Sequence, residues 1–525
     1  ERIKAGEALK IGLVDQVVDG QVREAAIRYA RRLAGLRRRA RDLPVPADDK
    51  DAIEAAVKDV KRAGKARPAI LAASDVVGAA ARLPFDTALA DERAAFLRLR
   101  QSEEAAALRY LFFAERESLK LDLPAGTVGR MIASVAVIGA GKMGAGIAIA
   151  ALDAGMKVIL LDQDTAALER GMGHIRDHYQ RRAAAGKLDA DAAKRLLDNV
   201  RMTLDWSALA QADLVIEAVF EDIEIKRTVF ASIDRHARAG AVLATNTSYL
   251  DIDKMAGATA RPRDVLGLHF FIPANVMKLL EIVRGGETSP EALATAMRFA
   301  RTLGKQPVVT GNSFGFIGNR IYTTYRRHCE FMLEDGAWPE QIDTALQAFG
   351  FAMGPFAVTD LSGLDIPWRM RRAQAATRHP DERYVPILEH LCEQGRLGRN
   401  AGRGYYSYVD GKQSVETDAV VREIIVNASV RRGIERREIG AAEIQRRALA
   451  AMANEAARLL GEGVAARASD IDVVLVHGYG FPRWRGGPVF WARQQPRAAL
   501  EQAMDELAGI EGPCFMRGDI GNLLT

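Results

Sequence analysis

From position 131 onward, short runs of β-branched and aliphatic residues alternate with longer stretches whose apolar positions recur every three or four residues. The runs are SVAVIGAG (134–141), KVILLD (157–162), DLVIEAV (213–219), AVLATNT (241–247), VLGLHFF (265–271), KLLEIV (278–283) and QPVVTG (306–311). Their nearly continuous apolar character marks strands buried on both faces. Strands separated by helices predict an α/β fold with a Rossmann-like, doubly wound, mostly parallel sheet. Beyond Gly311 the strand-like runs stop and long amphipathic helices follow. Upstream, residues 1–47 read as an amphipathic helix, a short strand at Leu13–Val18 and an Ala/Arg-rich helix. Pro44, Pro46 and the polar residues up to 50 read as a boundary. Residues 50–120 are helical in composition until LDLPAGTVG breaks the pattern.

The helical C-terminal region repeats itself. EFMLEDGAWPEQID (330–343) is echoed by EAARLLGEG (455–463) and ASDID (468–472), at a spacing of about 125 residues. Each copy is followed by a Gly-Phe and a Gly-Pro turn, GFAMGPF (350–356) and GYGFPRWRGGPVF (478–490). The expected organisation is a head segment (1–47), a helical linker (48–130), a dinucleotide domain (131–310), a first helical domain (311–410), a linker (411–435) and a second, duplicated all-α domain (436–525).

Composition narrows the class without naming a chemistry. Apolar residues make up 48% and charged residues 27% of 525, the mix of a globular protein of several domains. A net charge of +5 is too small to argue for nucleic acid, though it suits an anionic small molecule. Cys329, Cys392 and Cys514 are far apart and never in CxxC, which argues against a disulfide framework or a thiolate metal site. No apolar run approaches the roughly 18 residues of a membrane span. The chain opens ERIKAGEALK, without Met and without a signal-like core, and so reads as a fragment. With no targeting signal visible, a bacterial-type cytoplasmic location is expected.

Gly139-Ala140-Gly141-Lys142-Met143-Gly144 is a GxGxxG placed directly after an apolar strand and at the start of a helix. The first glycine permits the tight turn, the second lets a pyrophosphate approach the backbone, and the third lets helix and strand pack closely. The second strand of this βαβ unit ends in Asp162, 18 residues past Gly144. A carboxylate there binds a ribose 2′-hydroxyl and repels a 2′-phosphate, so NAD is expected rather than NADP. His269 lies at the end of a strand in GLHFFIP, and Glu281 follows twelve residues later in LLEIV. A histidine held by a carboxylate is the arrangement a general base requires.

Taken in order, VIGAGKMGAGIA, ADLVIEAVFED, ATNTSYL, GLHFFIPANVMKLLEIVRG, GFIGNR and GFAMGPFAVTDLSGLDI resemble the motifs of the 3-hydroxyacyl-CoA dehydrogenase family, over residues 131 to about 500. The resemblance implies NAD-dependent oxidation of a 3-hydroxyacyl-CoA thioester in fatty-acid β-oxidation. His269 would take the hydroxyl proton and Glu281 would orient it. Ser248 would hydrogen-bond the reacting oxygen, and Asn319 would position the same group or the thioester carbonyl. Met143, Asp162, Val219, Phe220, Glu221, Lys226 and Asn246 match positions around the cofactor, and Tyr479 matches a substrate contact of the long members. Plainer roles stand beside these: Asn246 and Ser248 suit helix capping, Asn319 a helix start, Lys226 a solvated helix face and Tyr479 packing. Ile272 replaces a residue that is commonly polar in the family, and as a buried aliphatic it would change rate or acyl preference. The head of the chain resembles the C-terminal end of a crotonase-type enoyl-CoA hydratase, which implies a bifunctional parent whose hydratase site lies outside this chain. An acyl-CoA substrate, no nucleic acid, no membrane span, and either a monomer or a complex with a thiolase are expected. Two rival readings remain: another Rossmann-type hydroxy-acid dehydrogenase, and a non-catalytic scaffold that binds NAD or acyl-CoA.

Overall fold

The computed structural model describes residues 3–36, 39–42, 49–64, 67–414, 416 and 418–524. The boundary expected at Pro44 and Pro46 lies outside the described residues. The chain divides into two units, residues 1–102 and 103–525. The first is a series of helices, Ala5–Lys10, Val22–Arg32, Lys50–Ala63, Pro68–Ala80 and Phe85–Arg100. The strand expected at Leu13–Val18 does not form; those residues run as bends and irregular backbone. Among the described residues no neighbouring strand takes their N–H and C=O groups, so an extended run there has no ladder to join. Among the described residues, the buried hydrophobic side chains of this unit are only Ala8, Ala88 and Ala95.

The second unit is built around eight strands: β1 (Ser134–Ile138), β2 (Lys157–Leu161), β3 (Val200–Thr203), β4 (Leu214–Glu217), β5 (Val242–Thr245), β6 (Val265–Phe270), β7 (Leu279–Arg284) and β8 (Gln306–Gly311). Their order is β3-β2-β1-β4-β5-β6-β7-β8, parallel throughout except where β6 and β7 run antiparallel. β3 escaped the sequence pattern because its side chains, VRMT, are largely solvated at a sheet edge. The helices Lys142–Asp153, Thr165–Ala184 and Pro290–Thr302 cover one face, and Ile223–His236 and Ile252–Ala256 the other. The strand order reverses between β1 and β4, so the loops that follow these two strands flank the crevice where such sheets bind ligands.

The helical repeat is present and its two copies match residue by residue at their capping carboxylates. The first copy comprises Gly318–Asp335, Pro339–Phe349 and Pro355–Ser362; the second comprises Ala441–Gly461, Ala468–Gly478 and Pro488–Arg493. Asp343 accepts from Phe356 N–H (3.1 Å), Ala357 N–H (2.9 Å) and Tyr406 Oη (2.8 Å). Asp472 accepts from Val489 N–H (2.7 Å), Phe490 N–H (2.9 Å) and Tyr110 Oη (2.7 Å). The glycine before each proline, Gly354 or Gly487, lies so close that a Cβ there would come within 2.3 Å of the carboxylate carbon. Tyr406 comes from the end of its own repeat, whereas Tyr110 comes from the helix Glu103–Glu117, which precedes the sheet. That helix buries Ala107, Leu111 and Ala114 and packs on Ala468–Gly478, so residues 103–117 form part of the second repeat's core rather than a free linker. Residues 411–435, expected as a linker, hold the helix Ala419–Arg432, tied to the first repeat by Ser429 Oγ donating to Glu334 O (2.8 Å). The second repeat also closes the sheet: Gly311 N–H donates to Val464 O (2.8 Å), which covers the β8 edge.

Removing either hydroxyl should have the same consequence. Tyr110→Phe and Tyr406→Phe are each expected to cost about 1–2 kcal/mol, read as a lower urea midpoint at unchanged slope. Equal midpoints for wild type and both variants would show that the carboxylates do not need the phenols. Burial pushes both Asp343 and Asp472 up to about 7. The folded protein therefore holds protons that the unfolded chain releases near the ordinary aspartate range of about 4. Stability from these sites is present in acid and is lost as pH rises towards about 7. Asp472→Asn, which carries no charge to bury, should accordingly compare better with wild type at pH above that range than below it.

Candidate active site

The site is built where the antiparallel pair meets the first helical repeat. His269, one residue from the end of β6, lies directly across from Glu281 on β7. His269 Nδ1 and Glu281 Oε2 are 2.7 Å apart, with both residues buried. The other carboxylate oxygen, Oε1, accepts from Gly318 N–H (3.0 Å) and Ile317 N–H (3.3 Å) at the start of the helix Gly318–Asp335. Those N–H groups have no partner within their own helix, and its positive end favours a carboxylate. The turn that presents them is bought with backbone strain: the buried Phe316 sits at φ 51, in the sparsely allowed left-handed region. Phe316 and Phe271 flank the imidazole, with ring centroids 5.6 and 4.4 Å away. Among the described residues, no group hydrogen-bonds His269 Nε2.

Asn319, the next residue, reaches both ways. Its Nδ2 donates to Ser248 O (3.3 Å) and its Oδ1 accepts from Tyr479 Oη (2.7 Å). Burial pushes the Tyr479 phenol well above its ordinary range, so it stays a donor at any working pH. Tyr479 arrives from the second repeat and packs edge-on against Phe271 at 5.5 Å. It lies so close to Gly318 that a Cβ there would come within 2.2 Å of its ring, which is why that position has no side chain. The structure thus brings His269, Glu281, Ser248, Asn319 and Tyr479 into one connected cluster. Capping after β5 is done by Thr247, whose Oγ1 accepts from Leu250 N–H (2.9 Å), and by Asp251, not by Ser248. Asn246 does not cap either: its Oδ1 accepts from Phe270 N–H (2.8 Å), linking β5 to β6.

The glycine loop has the shape a dinucleotide needs. Gly139 takes φ 101 and sits under Ala218 O, and a Cβ on Gly144 would come within 1.8 Å of Gly139 O. A Cβ on Gly141 would meet no atom within 4 Å, so that backbone faces open space in which a pyrophosphate fits. Asp162 stands beside the loop, its Oδ2 accepting from Ala140 N–H (2.8 Å). Met143 and Val219 are half-buried around the crevice and Phe220 is exposed at its rim. These residues fit NAD.

Two expectations change. Lys226 is neither a solvated helix charge nor at the surface; it is fully buried, with Nζ on Glu217 Oε1 (2.7 Å) and Glu221 Oε2 (3.3 Å). It lies beneath the loops that face the crevice. Ile272 is not a buried aliphatic but 63% exposed, because the turn carrying it leaves the sheet immediately after Phe271. Glu217 was not legible as a site residue: an acidic residue ending an apolar strand looks like a solvated terminus, and only the position of Lys226 nine residues later hinted at a partner.

Comparison with known proteins agrees with this geometry. The family described as 3-hydroxyacyl-CoA dehydrogenase, NAD binding domain, matches residues 134–313, and the one described as 3-hydroxyacyl-CoA dehydrogenase, C-terminal domain, matches 315–408. The peroxisomal bifunctional enzyme of Cavia porcellus is 40% identical over 512 residues, covering 93% of this chain and 70% of that protein. Its Homo sapiens counterpart is 39% identical over 514 residues, covering 94% and 71%. Among solved structures, 3-hydroxybutyryl-CoA dehydrogenase from Escherichia coli aligns with TM-score 0.63 at 29% identity, over 73% of this chain and 97% of that one. The dehydrogenase part of multifunctional enzyme 1 from C. elegans aligns with TM-score 0.58 at 27% identity, over 79% and 96%. The cytoplasmic location expected from the lack of a visible signal is overturned by these relatives, since the animal proteins are named peroxisomal and those of Brassica napus and Arabidopsis thaliana glyoxysomal or peroxisomal. The start of the given sequence carries no weight on location, since it does not open with Met. The chain belongs to the 3-hydroxyacyl-CoA dehydrogenase family and is an NAD-dependent oxidoreductase acting on 3-hydroxyacyl-CoA thioesters.

Proposed function

We propose that His269 is the base that takes the proton of the substrate's 3-hydroxyl, through Nε2. The observation that carries this reading is the pairing of His269 Nδ1 with a carboxylate that is itself pinned by two main-chain N–H groups. A buried Glu281 holds Nδ1 as the protonated nitrogen, leaves Nε2 as the acceptor and stabilises the imidazolium once the proton has moved. NAD, when bound, supplies the acceptor for the hydride that leaves C3. Asn319 offers its NH₂ to the reacting oxygen, because Tyr479 keeps the amide oxygen turned the other way. The Ser248 hydroxyl, free of protein partners among the described residues, faces the same oxygen in this reading. Gly139, Gly141, Met143 and Gly144 take the pyrophosphate, Asp162 the adenosine ribose, and Val219, Phe220 and Glu221 flank the nicotinamide half, with Asn246 and Lys226 supporting those loops. Phe271 and Phe316 keep water from the imidazole. The longer relatives are named bifunctional, which supports a second activity in a longer protein; the dehydrogenase reading does not depend on it.

His269→Ala should lower kcat for 3-hydroxyacyl-CoA oxidation by about 10²–10⁴-fold while leaving NAD affinity nearly unchanged. NADH formation from a series of acyl lengths, with a parallel NAD titration, checks both halves. Undiminished turnover would remove His269 from the chemistry, and binding without turnover in the wild type would favour a scaffold. At the other end of the cofactor, Asp162→Ser should weaken NAD and narrow the discrimination against NADP. Initial rates with each dinucleotide measure that ratio, and an unchanged ratio would mean the carboxylate serves only the glycine loop.

A further inference from the structure

Glu217 is an ionisable residue where the sheet has no need of one. It ends β4, its side chain has no exposed surface, and its side-chain partners come from the loop after β4, the helix Ile223–His236 and β5. Oε1 accepts from Lys226 Nζ (2.7 Å) and Val219 N–H (2.7 Å), and Oε2 accepts from Thr245 Oγ1 (2.6 Å) on the adjacent strand. Lys226 carries the connection on to Glu221, whose Oε1 accepts from Thr247 Oγ1 (2.5 Å) and Ser248 N–H (2.8 Å). Through its main chain, Glu217 O takes Asn246 N–H (2.8 Å), and Asn246 in turn holds Phe270 N–H beside His269.

A buried ion pair of this kind is not a device for stability. Apolar side chains of similar volume are often at least as stabilising, because both charges must be desolvated. What the pair does instead is fix the loop after β4 against the loop after β5. In this set two carboxyl side chains share one lysine, and only Glu221 reaches solvent, with its side chain 37% exposed. Without Lys226 two carboxylates would face each other; without Glu217 the ammonium would be left to Glu221 and Val219 N–H would lose its acceptor.

We propose that Glu217, with Lys226 as its counter-ion, is a positioning residue for the dehydrogenase reaction: it sets the loops after β4 and β5 so that Ser248 and the nicotinamide half of the cofactor meet His269. The inference rests on the reading of His269 and Ser248 given above. It predicts a loss concentrated at the nicotinamide end of the cofactor, because Asp162, at the other end, is held by its own bond from Ala140 N–H and touches none of the Glu217 partners. Glu217→Gln should raise the Kd for NAD by about 10-fold and lower kcat by about 10²-fold, as for a misplaced reacting group. Its Kd for ADP-ribose, which lacks the nicotinamide, should stay within about 2-fold. Lys226→Met should be worse than Glu217→Gln, and Glu217→Gln combined with Lys226→Met should be milder than Lys226→Met alone, the non-additivity of one coupled unit. If Glu217→Gln does not fold, Thr245→Val, which removes one bond to the carboxylate, should move the same two constants in the same direction by less. Wild-type kcat and NAD affinity in Glu217→Gln, or in Thr245→Val should the former not fold, would overturn the inference, as would equal losses of NAD and ADP-ribose affinity. His269→Ala, measured alongside, tells the two readings apart: if it abolishes turnover while the Glu217 variant is unimpaired, only the positioning role falls.

Discussion

Glu281 has two oxygens and two obligations, and the arrangement of the second unit follows from meeting both. One oxygen must hold the imidazole of His269; the other, equally buried, must find donors of its own, because a buried polar atom left unpaired is costly. The donors are main-chain N–H groups at the first turn of the helix Gly318–Asp335. That requirement fixes the end of the helix against the sheet to hydrogen-bond accuracy. It also explains the turn before the helix, in which a buried phenylalanine accepts a left-handed backbone so that two N–H groups point at one atom. The residue following those two donors is Asn319, so the contact that steadies the base also delivers the group that meets the substrate oxygen.

The same device recurs through the helical region. Asp343 and Asp472 each gather the N–H groups of a helix start and a tyrosine hydroxyl, at equivalent places in the two copies. In each case a glycine lets the backbone come close enough. The copies then diverge in use. The first supplies Asn319 to the cluster; the second supplies Tyr479, which orients the Asn319 amide, and covers the open edge of β8. Duplication here yields two different contributions to one site rather than two sites.

Much of this was legible in the sequence because it depends on period and spacing. Seven strands, the glycine loop, Asp162 and the helical repeat follow from apolar runs and from small residues at fixed intervals. The twelve-residue separation of His269 and Glu281 reads as a pair once two adjacent strands are recognised. Other features stayed hidden because they arise from contacts between distant segments. β3 lacks the apolar signature, being a solvated edge. Lys226 looks like any surface lysine on an amphipathic helix, and its burial follows from Glu217, which itself looks like a strand end. Ile272 reads as interior from its neighbours Phe270 and Phe271, yet the chain turns outward there. Tyr110 gives no sign that its partner lies in the last quarter of the chain.

That last separation bears on how the protein is made. Tyr110 and Asp472 are 362 positions apart, and the helix bearing the tyrosine leaves the ribosome long before its carboxylate is synthesised. At about 5–20 residues per second the interval is about 20–70 s. Throughout it, the face formed by Ala107, Leu111 and Ala114 has no second repeat to pack on. The sheet and the first repeat are synthesised in between. The nascent chain therefore carries an uncovered apolar helix face while the sheet and the first repeat are made, and the site is complete only when the second repeat closes over that helix and brings Tyr479 to Asn319.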